Sequence, residues 1–328
     1  MVYLGLGMGV LVTGACGFIG AWTVKQLLSM GEEVVLTDVS GDLTRLRQVL
    51  GDVGELPFVR GDIVEEGFIE GIVKKYSVEA IIHLAAFQIP QCRADPVRGG
   101  MVNVIGTLRV FEAAKNSGGS VRRVVYASSA AVFGPPELYG EGPVPVHVVL
   151  RPATHYGAFK VCNELTANAY WHEARIPSVG LRPQVVYGLG RDVGVTSDVA
   201  RAIKAAVVGK QFKIRFGGLV DLQYVEDVAY LFAVAALRDL DGARVYNVRG
   251  DVLSVPQIIE LIEDVTGVKG HISYEDKPLP IPAALDDSET ERDLGPLNKT
   301  SAREGIEKTA SYFRHLHSRG ELDTSDLP

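Results

Sequence analysis

The chain has 328 residues, 47% of them hydrophobic and 22% charged, enough to bury a large core as one domain with an addition or as two joined lobes. A net charge of −7 with no basic block argues against nucleic acid as a partner. Three scattered cysteines (Cys16, Cys92, Cys162) fit free thiols in a reducing compartment, and seven histidines without ligand spacing give no metal site.

The opening run from Met1 to Val10 is apolar, but it lacks the basic region and cleavage site of a secretory signal. Met8 offers an alternative start. No apolar run reaches the ~20 residues that a membrane span needs, so a cytoplasmic protein is expected.

Up to about residue 130, apolar runs at Val10–Thr13, Glu33–Thr37, Pro57–Arg60, Ala80–Leu84 and Arg123–Ser128 read as strands. Helical patterns near 18–30, 41–50, 65–76 and 96–117 lie between them, and Ser178–Leu181 adds a further strand. Continuous apolar strands alternating with helices predict a parallel sheet covered on both faces. A helix over 153–175 follows a proline- and glycine-rich loop. Beyond 183 come shorter elements, with helices at 226–238, 255–266 and 301–318 and a strand at Arg244–Val248. The fold class is therefore α/β, a doubly wound parallel Rossmann sheet with a smaller, mixed C-terminal substrate-binding lobe. Residues 1–182 form the nucleotide-binding domain. Residues 183–320 form the substrate lobe, partly interleaved with that sheet, and 321–328 a disordered tail.

Thr13-Gly14-Ala15-Cys16-Gly17-Phe18-Ile19-Gly20 follows the first strand and opens the first helix. Glycines there permit the tight turn and the approach of a pyrophosphate to the backbone, while the helix N-terminus supplies amide donors. Asp38 ends the second strand, where a carboxylate accepts from the ribose hydroxyls and repels a 2′-phosphate, so NAD is expected rather than NADP. Arg45 is the nearest arginine. Tyr156 and Lys160 stand four apart on one helical face, a phenol with a cation placed to lower its pKa toward the working range.

With the glycine loop and this pair, the chain carries Gly61-Asp62-Ile63, His83-Leu-Ala-Ala86, Asn103-Val-Ile-Gly-Thr107 and Tyr126-Ala-Ser-Ser-Ala-Ala-Val-Phe-Gly134. Glu164, Leu181-Arg-Pro-Gln-Val-Val-Tyr-Gly188 and Tyr224-Val-Glu-Asp-Val228 follow. In that order the motifs resemble the extended short-chain dehydrogenase/reductase family, the NAD-dependent epimerase/dehydratase group. The resemblance implies that Gly14, Cys16, Gly17, Phe18, Ile19, Gly20 and Asp38 hold the cofactor, with Asp62 and Ile63 at the adenine. It places Leu84, Ala85 and Ala86 beside the phosphates and ribose, and Asn103, Pro183, Val185 and Val186 elsewhere around the cofactor. Tyr156 is then the acid/base, Lys160 holds the nicotinamide ribose, and Ser129 orients the substrate oxygen. It also implies a homodimer through the helix ending near 117 and the Tyr156/Lys160 helix.

Departures from the family pattern narrow the reaction. Ala130 and Ala131 follow Ser129 where dehydratases of the family carry acids. Val185 and Val220 stand where nucleotide-sugar epimerases usually place Asn and Arg against the substrate phosphates, although Arg191 and Arg215 are near enough to compensate. A dehydrogenase acting on a free sugar or sugar acid is therefore expected, with a UDP-sugar 4-epimerase as the alternative and an NAD-sensing regulator third. Gln88, Ser129, Ala130, Gln184 and Arg191 are the candidate substrate contacts. Arg191 is read either as a partner for a substrate carboxylate or as a solvated loop arginine.

Overall fold

A computed structural model of the protein describes residues 9–295 and 299–328; the question of a start at Met8 lies outside these. The first half alternates strand and helix: β1 (Gly9–Thr13), α1 (Phe18–Ser29), β2 (Glu33–Asp38), α2 (Thr44–Leu50), β3 (Phe58–Arg60), α3 (Phe68–Tyr76) and β4 (Ala80–His83). The stretch expected as one helix over 96–117 is divided. After a separate short helix, α4 (Ile89–Ala94), it consists of α5 (Pro96–Gly100), a π-helical turn at Met101–Ile105 and α6 (Gly106–Lys115). That wide turn holds Asn103, whose side chain is drawn onto the backbone of Phe87. Then come β5 (Arg123–Ala127), α7 (His155–Ala174), β6 (Ser178–Arg182) and β7 (Val185–Tyr187).

The second half holds α8 (Asp198–Val207), β8 (Phe212–Ile214), β9 (Leu219–Tyr224) and α9 (Val225–Leu237). It ends with β10 (Ala243–Asn247), β11 (Asp251–Ser254), α10 (Val255–Thr266), β12 (Ile272–Tyr274), α11 (Ser288–Leu294) and α12 (Ala302–Ser318).

Seven strands form one parallel sheet in the order β10-β6-β5-β4-β1-β2-β3. Successive side chains of a strand point to opposite faces, and here both faces are covered. Val10, Val12, Leu36 and Ile82 pack under α1 and α9, while Leu11, Val35, Ile81 and Val124 pack under α3 and α6. This double burial accounts for the unbroken apolar runs. β10 comes late in the chain yet pairs in register with β6, so the two parts of the protein share a sheet. The smaller sheets, β11-β9-β7 and β12-β8, build the lobe beside its carboxyl edge.

Residues 321–328 are not the loose tail expected of them. Leu327 is buried, Asp326 pairs with Lys204 at 2.6 Å, and Arg201 donates to the Asp326 carbonyl. The short polar stretch has no periodicity of its own; its order comes from cations on α8.

Candidate active site

The strand order reverses between β1 and β4, and the crevice at the carboxyl ends of the strands on either side of such a reversal is where nucleotides bind. A cleft of about 1260 Å³ opens there. It runs from the glycine loop past Tyr156 to Arg215, Phe216 and Lys277 in the lobe.

The glycine loop fits a dinucleotide. Gly14 has φ +69°, and a Cβ there would lie 2.6 Å from the Ala85 amide nitrogen, so the β1 turn and the β4 loop meet only because Gly14 has no side chain. The Asp38 carboxylate accepts from the amides of Cys16 (3.0 Å) and Ser40 (2.9 Å), fixing it at the cleft edge with lone pairs to spare for ribose hydroxyls. Arg45, the nearest arginine after Asp38 in the sequence, donates instead to the Cys16 carbonyl and to Asp192, each at 2.7 Å. NAD is expected to bind at least about tenfold more tightly than NADP, about 1.4 kcal/mol, by titration calorimetry; equal affinities would contradict this role of Asp38.

Tyr156 and Lys160 occupy the first turns of α7, which Thr154 caps by accepting from the Gly157 amide at 3.0 Å. Ser129, two residues past β5, accepts from the Ala131 amide at 3.1 Å, and its hydroxyl favours the ionised form of the Tyr156 phenol. Burial pushes the phenol above its usual range, with Ser129 and the Arg191 charge opposing. Lys160 was expected to lower it, but its ammonium donates to the Ala127 carbonyl at 2.6 Å and sits 5.5 Å from the ring centroid, over the face rather than at the hydroxyl. Burial brings the Lys160 pKa down to about 8.

Behind this pair lies a scaffold that the sequence motifs encode without announcing. Thr107 gives its proton to the Asn103 carbonyl (2.7 Å) and so accepts from His83 Nε2 (3.1 Å); His83 Nδ1 then accepts from Thr13 at 2.8 Å. Burial holds His83 neutral, down to about 3, and it serves as a strut between β1, β4 and α6. Glu164 accepts from Ser128 (2.5 Å) and, in bidentate fashion, from Arg182 (2.8 and 2.7 Å), locking α7 to the ends of β5 and β6.

Most residues expected at the cofactor or substrate line this one cleft: Gly14, Cys16, Gly17, Phe18, Ile19, Gly20, Asp38, Asp62, Ile63, Leu84, Ala85, Ala86, Gln88, Ser129, Ala130, Tyr156, Lys160, Pro183, Gln184, Val186 and Arg191. Two do not. Asn103 is buried behind the wall, where its amide accepts from the Phe87 nitrogen (2.7 Å) and donates to the Phe87 carbonyl (2.9 Å), shaping the loop after β4. Val185 is wholly buried in the core, because alternation in β7 turns Val186 to the cleft and Val185 away. Val220 is likewise fully buried on β9.

The charged donors of the cleft come from elsewhere. Arg215 is committed to Asp198 through Nε (2.9 Å) and Nη2 (2.7 Å). Arg191 has more freedom: it donates to Thr196 at 2.9 Å, lies 5.6 Å over the Phe18 ring, and its buried Nε has no partner. Sequence reasoning named Arg45 only as the nearest arginine to Asp38, and missed Asp192 and Trp22, whose indole donates to the Leu189 carbonyl at 3.0 Å.

The sequence profile described as the NAD dependent epimerase/dehydratase family matches residues 10–248. The chain belongs to that family. Within the family, it is 32% identical to a UDP-glucose 4-epimerase of Mycolicibacterium smegmatis, over 94% of this chain and 99% of the relative. It is 29% identical to a UDP-glucuronate 4-epimerase of Thermodesulfobacterium geofontis, over 93% and 95%. Among solved structures, the UDP-glucose 4-epimerase of Thermotoga maritima with UDP-glucose superposes with a TM-score of 0.80 at 26% identity, covering 94% of this chain and 100% of that one. The Thermus thermophilus UDP-glucose 4-epimerase with NAD gives 0.77 at 27%, covering 94% and 99%. The protein is thus an NAD-dependent enzyme of the extended short-chain dehydrogenase/reductase type. Among the described residues, no helix is long and apolar enough to cross a membrane.

Proposed function

We propose that the protein inverts the 4-hydroxyl of a UDP-sugar. The observation that carries this reading is the reach of the cleft, which continues beyond Tyr156 into the lobe as far as Phe216 and Lys277. A free sugar would leave that extension unused, whereas a nucleoside diphosphate on the sugar has a place to lie. Relatives matched along nearly their whole length are UDP-sugar 4-epimerases, which favours the same reading over a free-sugar dehydrogenase.

Tyr156 takes the proton of the substrate hydroxyl while Ser129 holds that oxygen, and it returns a proton to the oxygen after the oxidised sugar has turned over in the cleft. Lys160, steered by the Ala127 carbonyl, binds the nicotinamide ribose. NAD held there would supply a reversible hydride acceptor for the sugar carbon, so that the cycle would have no net redox change. Arg191 is a cation with free donor capacity for the phosphates or an acidic sugar.

The rival reading, a dehydrogenase of a sugar without a nucleotide, rested on Val185 and Val220, which the fold buries away from the cleft. The test incubates the NAD-loaded enzyme with UDP-glucose, UDP-glucuronate and the corresponding free sugars. The expected result is conversion of a UDP-sugar to its 4-epimer without accumulation of reduced cofactor. Stoichiometric reduced cofactor from a free sugar would overturn the proposal.

A homodimer through the α6–α7 face goes with this reading. Met101 and Leu165 are exposed there, while Phe111 is stacked internally on Tyr170 at 4.9 Å. Light scattering should return twice the chain mass; the mass of one chain would contradict it.

A further inference from the structure

The loop Gly188–Gly194 belongs to the substrate lobe, yet it is fastened to the cofactor side at three points. The Trp22 indole donates to the Leu189 carbonyl at 3.0 Å, Arg191 lies over Phe18, and Arg45 joins Asp192 at 2.7 Å. Arg45 is the shared piece, because its other terminal nitrogen donates to the Cys16 carbonyl inside the glycine loop, also at 2.7 Å. A Cβ on Gly190, whose φ is +90°, would stand 2.9 Å from Arg45 Cδ, so the close crossing depends on that glycine. Arg45, Asp192, Gly190 and Cys16 all line the cleft. A dinucleotide whose pyrophosphate rests on the glycine loop therefore has this bridge beside it.

We propose that Arg45 and Asp192 form a latch that retains NAD by holding the Gly188–Gly194 loop against the glycine loop. The idea rests on the epimerase reading, in which the cofactor must stay in place until it has returned what it took. Both ends of the bridge are partly exposed, with side chains 25% and 43% accessible, so it is weakened by salt and modest in strength. It opens and closes as glycines at 188, 190 and 194, all with positive φ, let the loop lift. Arg191 travels on the same loop, so opening it also withdraws a cation from the Tyr156 end of the cleft.

The experiment is exchange of bound radiolabelled NAD against excess unlabelled NAD, in the full-length protein without substrate. Asp192→Ala should exchange about fivefold faster than the parent. The parent should speed up with salt, and Asp192→Asn, which keeps an acceptor but removes the charge, should lose most of that dependence. Arg45→Ala/Asp192→Ala should exchange no faster than Arg45→Ala alone, since one interaction is lost in both. Exchange rates equal to the parent's, unchanged salt dependence in Asp192→Asn, or additive effects in the double variant would overturn the latch. Because no substrate is present, the outcome is independent of whether the protein epimerises UDP-sugars.

Discussion

Tyr156→Phe is expected to lower turnover by about 10²–10⁴-fold while leaving NAD bound, the range over which a positioned acid/base contributes. The substitution keeps the ring that lies under Lys160 and removes only the hydroxyl whose ionisation Ser129 favours. Fold and cofactor affinity should therefore be unchanged, and the loss should appear in kcat. Ser129→Ala gives a companion result with a definite sign. Ser129 lowers the phenol pKa, so removing it raises that pKa further, and activity that needs the phenolate should set in at higher pH than in the parent. A pH–rate profile reads this directly; an unmoved acidic limb would contradict the role of Ser129.

Glu164→Ala is expected to cost ~3–5 kcal/mol of stability, the usual price of removing one partner from a buried ion pair. Glu164 and Arg182 are 7% and 4% exposed, and among the described residues Glu164 is the only anion paired with Arg182. Arg182 would keep the Val146 carbonyl (3.0 Å) and Asn247 Oδ1 (3.3 Å), neither of which carries charge. Urea unfolding measures the loss. Glu164→Leu/Arg182→Met, which removes both charges, should recover most of it. A Glu164→Ala loss below about 1 kcal/mol would show that the pair is better hydrated than its burial indicates.

What could be read in the sequence follows from where the determining physics is local. The strands at Val10, Val35, Ile81 and Val124 were legible because both faces of the sheet are covered, which forces unbroken apolar runs. Tyr156 and Lys160 were legible because one helical turn joins them. Strands β7, β8 and β12 have three residues each, too few to show a period, and α8 lies between glycine turns that hid it. A one-residue alternation within β7 decides that Val186 meets the cleft and Val185 does not. The misplacement of Asn103 has a similar origin, since its amide is spent on Phe87 across the turn of the chain. Arg45–Asp192 and Trp22–Leu189 span 147 and 167 residues, and no local pattern announces either. The expected substrate followed from Val185 and Val220, two positions that the fold buries; the reach of the cleft and the charges lining it were invisible until the lobe was in place.

The most direct test of the central claim is to supply a UDP-sugar carrying deuterium at C4 and to follow the label. An epimerase that lends its hydride to bound NAD and takes it back predicts the 4-epimer with deuterium still at C4 and none in released cofactor. Deuterium appearing in free reduced cofactor, with a 4-keto sugar left behind, would contradict the account and restore the dehydrogenase reading.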